Sequence, residues 1–317
     1  MDHINFISKL YVEGEDSVEV SRKHQFEYFI VQVLKKIFMQ ASETALKFYE
    51  FTFFFLLCHV FRVRRNVIQT NLNIAFPDLP EEERDQIMID NYHWFARVLI
   101  AITRLDYWKG RTEQAVTFHG LSELDDALTA DKGIVMVSSH LGHWEIVVPA
   151  LAEKGYQMHI YVGEQKNPLV NTMQNKTRGS FGVQTIDKSR SASFQMMRAL
   201  KKQNVLALAV DQNDHKAGFF VKFFGKEAAS PRTVAGFHLS RKSPIIVSSC
   251  FFVEDKVELH FEKLEVELVG DKEQDQFNIT QAINDAFERN IRKHPEQYFW
   301  MHKRWKTRPP YDSTPIY

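Results

Sequence analysis

The chain is poor in cysteine. Cys58 and Cys250 are its only two, far apart and with no CxxC pair. That excludes a disulfide framework and a thiolate zinc site, and two isolated thiols fit a reducing compartment. Net charge is also missing: 40 basic residues balance 40 acidic ones, and the sequence pI is about 7.2. A globally basic nucleic-acid binder is therefore not indicated. The first 25 residues lack a basic head followed by an apolar core, so no signal peptide is expected and the protein is expected on the cytoplasmic side of a membrane. No internal repeat, low-complexity segment or GxSxG elbow occurs, and without the elbow a serine nucleophile is not indicated.

Long apolar runs are scarce too. The longest, at 51–61, holds about eleven residues, whereas a spanning helix needs about 20. What the run does have is phenylalanine, a residue of which the chain holds 26 against 5 Trp and 10 Tyr. Arg62, Arg64 and Arg65 follow at once. An aromatic helix ending in arginines suits the interface of a bilayer, with the guanidinium groups on anionic headgroups. A buried core helix is the other reading. The segment 26–39 has helical apolar spacing, and 71–77 reads as a boundary. Glu81, Glu82 and Glu83 mark a helix start whose amphipathic body runs over 86–105, with a hinge near Lys109 and Gly110.

Beyond that hinge, short apolar runs alternate with amphipathic segments. Strands are predicted at 134–137, 157–162, 183–186, 205–210, 244–253 and 256–261, and helices at 143–154, 167–179, 192–202, 231–242 and 277–293. The alternation predicts an α/β fold with a mainly parallel central sheet flanked by helices, preceded by N-terminal membrane-associating helices. The expected division is a membrane-contacting helical region over 1–80 and a catalytic α/β domain over 81–317.

Chemistry concentrates in the stretch SSHLGHWE, residues 138–145, between two apolar runs. Loops at the carboxyl ends of strands are where open α/β sheets build sites. On one helix His140 and His143 would lie about 60° apart and could share an ion, but no further ligand is supplied. On one helix His140 and Glu145 would lie about 140° apart and could not meet. With His140 still in the loop, Gly142 allowing a tight turn and Glu145 in the first helical turn, they can. An imidazole with a pKa of about 6.5, oriented by a carboxylate, is a usable general base for an incoming hydroxyl. Asp211 and Gln212 end another apolar strand, and Arg232 opens a helix at which an anion could bind. Asp214 and His215 read as solvated. Phe219, Phe220, Phe223 and Phe224 suit either an acyl groove or a packed strand face. Lys303, Arg304, Lys306 and Arg308 form a C-terminal basic patch that would be a solvated tail or meet an acidic carrier or lipid phosphates.

His140 to Glu145 matches the Hxxxx(D/E) motif of glycerolipid-type acyltransferases. The wider chain resembles the bacterial lipid A secondary acyltransferases, the lauroyl and myristoyl transferases of lipopolysaccharide synthesis. Further blocks carry the resemblance in order: RRNVIQTNLNIAFPDL (64–79), NPLVNTMQNKTRG (167–179), LAVDQNDHKAGFFVKFFGKEAASPRTVAG (208–236) and HPEQYFWMHKRWKTRP (294–309). The chain departs from the pattern at His143, where many relatives have Asn, and in a longer N-terminal region. The resemblance implies acyl transfer from an acyl-acyl carrier protein or acyl-CoA to a lipid hydroxyl, at the cytoplasmic face of the inner membrane, with no cofactor and no metal. It implies His140 as base and Glu145 as its partner, with Arg178 as the cation for the oxyanion or a phosphate; by their positions at a strand end and a helix start, Asp211, Gln212 and Arg232 are further candidates for binding substrate or stabilising the transition state. Gly142 and His143 would support them. Another lipid acceptor (a lysophospholipid or a different glycolipid), a thioesterase, or a non-enzymatic membrane protein are the competing expectations.

Overall fold

The computed structural model of the chain describes residues 20–215, 218–312 and 314–317. Most of the segment bearing on a signal peptide lies outside the described residues.

Four helices come first: α1 Arg22–Gln40, α2 Glu43–Phe55, α3 Arg65–Ala75 and α4 Glu81–Thr103. Ser21 and Ser42 cap α1 and α2, each hydroxyl accepting from an amide three residues on. The end of α2 runs on as a π-turn, Leu56–Val60. Helix α3 continues through the stretch 71–75 that the sequence marked as a boundary; the break falls at 76–80, where Pro77 and Pro80 remove amide donors. The three glutamates do fill the first turn of α4. Gly110, at φ +73°, makes the bend near the expected hinge.

The α/β part runs α5 Thr112–Ala115, β1 Val116–His119, α6 Leu121–Leu128, β2 Ile134–Ser138, a 3₁₀ turn Trp144–Ile146 and α7 Val147–Glu153. It continues through β3 Met158–Val162, α8 Pro168–Ser180, β4 Gln184–Asp187, α9 Ala192–Lys201 and β5 Val205–Ala209. A hairpin follows, β6 Phe219–Phe223 and β7 Lys226–Ser230, then α10 Thr233–Arg241, β8 Ile245–Val253, β9 Lys256–Lys263 and α11 Lys272–Ile291. Seven strands form the central sheet in the order β1-β9-β8-β2-β5-β3-β4. All neighbours are parallel except β8 with β9.

The sheet is mainly parallel and covered on both faces, which is why β2 and β5 are continuous apolar runs. One face, carrying Val135, Val137, Leu206, Leu208 and Val247, packs with α10 and α11. Phe54, Cys58, Ile68, Leu72 and Tyr92 of the N-terminal helices share that core. The other face, carrying Ile134, Met136 and Ala207, packs under residues of α5, α6 and α7. Phe223 and Phe224 are buried in the first core, and both cysteines are buried free thiols.

The C-terminal stretch is not a solvated tail. Arg304 is buried and donates to Ala229 O, Ser230 Oγ and Asn284 Oδ1. Arg308 donates to Glu227 O and Asp312. A guanidinium with several donors in a fixed fork can satisfy buried oxygens, and here it ties the hairpin to α11.

Among the described residues no single helix is long and apolar enough to cross a membrane. The pair Glu43–Val60 and Arg65–Ala75 passes that test only together, and it is bent by 89°. Helices α1 and α2 leave Phe26, Phe29, Phe48, Phe51 and Phe55 exposed, and Phe61 beyond them is 67 % exposed.

Candidate active site

Parallel pairing sets the site. Ser138 of β2 stands opposite Ala209 of β5. Two residues further along each strand the chain reaches His140 and Asp211, so the register that aligns the strands aligns these side chains. His140 Nδ1 lies 2.8 Å from Asp211 Oδ1, and the His140 amide donates to Asp211 Oδ2 at 3.0 Å. Asp211 therefore holds both the ring and the backbone of the loop.

A carboxylate only accepts, so in the neutral ring Nδ1 carries the proton and Nε2 is the free acceptor. Gln212 Nε2 lies 3.4 Å from that nitrogen. Burial opposes the imidazolium, but the charge and hydrogen bond of Asp211, and then the charge of Glu145, outweigh it and raise the His140 pKa above its ordinary value. Burial pushes Asp211 up, yet His140, by charge and hydrogen bonds, and then His302 hold its carboxyl below the usual range.

The expected pairing of His140 with Glu145 is corrected here. Glu145 accepts from Arg178 Nε at 2.6 Å, and Arg178 also donates to Asn175 Oδ1 at 2.9 Å. The cause is positional. Glu145 enters the 3₁₀ turn that leads into α7, and the buried Arg178 in the last turn of α8 needs an anion. Glu145 still acts on His140 through space, as the smallest of the influences on its pKa.

Trp144 and Phe299 wall the imidazole, with ring centroids 5.2 and 6.1 Å away. Gly142 sits at φ +58°, and a Cβ there would meet Cys250 O at 2.1 Å. His143 points away from the pair. It is buried, stacks on Phe252 at 5.7 Å, and its two ring nitrogens have no partner among the described residues. Burial, then the charge of Arg97, lower its pKa to about 3. It borders a cavity of about 570 Å³ together with Arg97, Arg104 and Trp108. Arg232 is exposed and precedes α10 without a capping side-chain bond, its guanidinium 6.0 Å from the Phe219 ring. Among the described residues no hydrogen bond or ion pair joins Arg232 to the His140 cluster. His215 is exposed, and the Asp214 amide bonds back to Ala229 O.

This arrangement is an oriented, partly shielded base with a buried ion pair beside it, suited to taking a proton from a hydroxyl. A family description fits that chemistry: a model of bacterial lipid A biosynthesis acyltransferases matches residues 16–307. The chain belongs to that family. It is an O-acyltransferase. Among curated relatives, it is 26 % identical over 255 residues to the lipid A biosynthesis palmitoleoyltransferase of Escherichia coli (strain K12), covering 79 % of this chain and 81 % of that protein. It is 24 % identical over 249 residues to the lauroyltransferase of the same organism, covering 78 % and 80 %. A Haemophilus influenzae lipid A biosynthesis acyltransferase is 25 % identical over 266 residues, covering 80 % and 81 %.

In this member of the family, sequence reasoning missed the residues that brace the loop. Asn91 Nδ2 donates to Glu296 O and Tyr298 O, both at 2.7 Å, and Asn71 Nδ2 to Trp300 O and His302 O at 2.7 and 2.8 Å. The stretch they hold bonds back to the loop: Gly142 N donates to Gln297 O, and Phe299 N to His140 O, each at 3.0 Å. His302 Nε2 accepts from Asn213 N at 3.0 Å, beside Asp211. A polar Asn on an apolar helix face was the available signal.

Proposed function

We propose that the protein carries out secondary acylation of a lipid A precursor, moving a fatty acyl group from a carrier thioester to a hydroxyl of the glycolipid. The donor is an acyl-acyl carrier protein or acyl-CoA. His140 Nε2 takes the hydroxyl proton while the oxygen attacks the thioester carbonyl. Asp211 keeps the proton on Nδ1 and stabilises the imidazolium that forms. Collapse of the tetrahedral intermediate breaks the C–S bond, and the leaving thiolate takes the proton from Nε2. Neither a covalent enzyme intermediate nor a metal is needed. Arg178, held by Glu145, and the Gln212 amide supply positive charge and a donor for the developing oxyanion.

The observation that carries this reading is the His140–Asp211 pair at the ends of two neighbouring parallel strands, in a chain of this family. On this reading the base is a His–Asp pair rather than a His–Glu pair, and Glu145 fixes Arg178. Purified protein assayed with lipid A precursor and acyl-acyl carrier protein should show a new ester by mass spectrometry. His140→Ala should lose roughly 10²–10⁴-fold in rate while folding normally. Thioester hydrolysis independent of the lipid would point to a thioesterase instead.

The enzyme works at the cytoplasmic face of the inner membrane, resting on it through α1 and α2. Their exposed phenylalanines and the adjoining Arg62, Arg64 and Arg65 support this placement. In flotation with anionic vesicles, F48D/F51D/F55D should stay with the soluble fraction while the parent chain floats.

A further inference from the structure

The sheet brings together three metal-ligating side chains that lie far apart in sequence. His119 is the last residue of β1, and Glu258 and His260 alternate along β9. The parallel register sets Thr117 beside Glu258 and His119 beside His260. All three side chains therefore project from one face, next to the buried Phe251 at the edge of the α11-covered core. His260 Nε2 and His119 Nε2 both converge on Glu258 Oε2, at 3.2 and 3.5 Å. The three ligand atoms lie within 4.8 Å of one another.

The two nitrogen–oxygen separations, one of them a hydrogen bond at present, are close to those a shared ion imposes. Zinc–nitrogen and zinc–oxygen bonds of about 2.0–2.1 Å in a tetrahedron place ligand atoms about 3.3–3.4 Å apart. Two imidazoles and one carboxylate give the cluster one negative charge and two nitrogen donors. This set favours zinc and its neighbours in the first transition row over calcium or magnesium, which want oxygen. The rings now stack with centroids 4.3 Å apart, and coordination requires them to splay until both lone pairs meet the ion. They are free to do so, since the side chains of His119 and His260 are 44 % and 38 % exposed. The same exposure lets an ion enter from solvent and keep a water as its fourth ligand.

We propose that His119, Glu258 and His260 form a divalent transition-metal site that staples the short edge strand β1 to β9. Its role is structural. The order β1-β9-β8-β2 puts three strand spacings, roughly 14 Å, between β1 and the strand that presents His140. Holding β1 also protects a four-residue strand at an open sheet edge.

The test titrates the chelator-treated full chain with Zn²⁺ alone by calorimetry and follows melting in parallel. The expected result is one ion per chain. H119Q and H260Q should each weaken binding at least tenfold, and H119Q/H260Q should abolish it. H294Q, which removes a neighbouring histidine outside the triad, should bind as the parent does. Zn²⁺ should raise the melting temperature of the parent and not of the double variant. Equal metal-free melting of parent and double variant shows that the lost binding reflects lost ligands rather than lost folding. Failure of the parent to bind, or unchanged stoichiometry and affinity in the double variant, overturns the proposal. A double variant that melts lower without metal yet still gains stability from Zn²⁺ overturns it as well.

Discussion

His140 and His143 stand on the two faces of one loop, and the fold treats them in opposite ways. His140 meets Asp211, lies against the ring of Trp144, and has its pKa raised. His143 turns to the side of Phe252 and Arg97, finds no anion, and is held neutral at a pKa of about 3. Both are imidazoles in the same six-residue stretch. What separates the two environments is the neighbour on the next strand, and this can be tested from either face.

The largest effect should come from Asp211. Asp211→Asn removes the charge and the fixed tautomer, so turnover should fall by roughly 10²–10⁴-fold. The parent's rate should decline as pH drops through the raised His140 pKa, because only the neutral ring accepts a proton. In Asp211→Asn that acid limb should move to lower pH, since the main cause of the upward shift is gone. A pH–rate profile for both proteins checks this. If the limb moves in Glu145→Gln and stays put in Asp211→Asn, the His–Glu pairing is restored.

Gly142 comes next, because it divides the two faces. Gly142→Ala forces a left-handed residue, costing about 1–2 kcal/mol, and drives its methyl into Cys250 O. Melting temperature and turnover should fall together, since the loop cannot hold His140 and pass Cys250 at once. Glu145→Gln should do less. Its amide oxygen still accepts from Arg178 Nε, so a loss of about 1 kcal/mol in stability is expected from the weakened bond.

Much of the scaffold behind these contrasts is readable in the sequence. The apolar runs of β2 and β5 and the amphipathic helices α8 to α11 announce themselves by period and length, and SSHLGHWE stands out by its density of proton carriers. What escapes is whatever depends on order in space. Strand β1 has four residues and little alternation. The β6–β7 hairpin turns at Phe224–Gly225, both at positive φ, without the Asn-Gly or Asp-Gly that marks such turns. The pairing of His140 with Asp211 needs β5 to lie beside β2, a crossover that local spacing does not encode. Hence the nearest carboxylate in sequence, Glu145, is not the nearest in space. Arg304 and Arg308 read as tail charges because their acceptors sit on the hairpin and α11.

The effect at His143 concerns stability rather than rate, and it shows only at acid pH. Its ordinary pKa of about 6.5 applies in the unfolded chain, whereas the folded value is about 3. Between those limits the unfolded state binds a proton that the folded state refuses, so stability falls as pH falls from about 6.5. At pH 5 the loss amounts to about 2 kcal/mol, from roughly 1.5 units at about 1.4 kcal/mol each. His140 works the other way, contributing stability below its unfolded pKa that is lost as pH rises through its raised folded value. His143→Asn has no such proton to refuse. Denaturant unfolding at pH 7 and pH 5 should therefore show a smaller acid loss in His143→Asn than in the parent, by about 2 kcal/mol, whatever offset the substitution adds at neutral pH. Equal losses in the two proteins would mean that His143 finds a proton acceptor in the cavity beside Arg97, and that the two faces of the loop are less unlike than their contacts indicate.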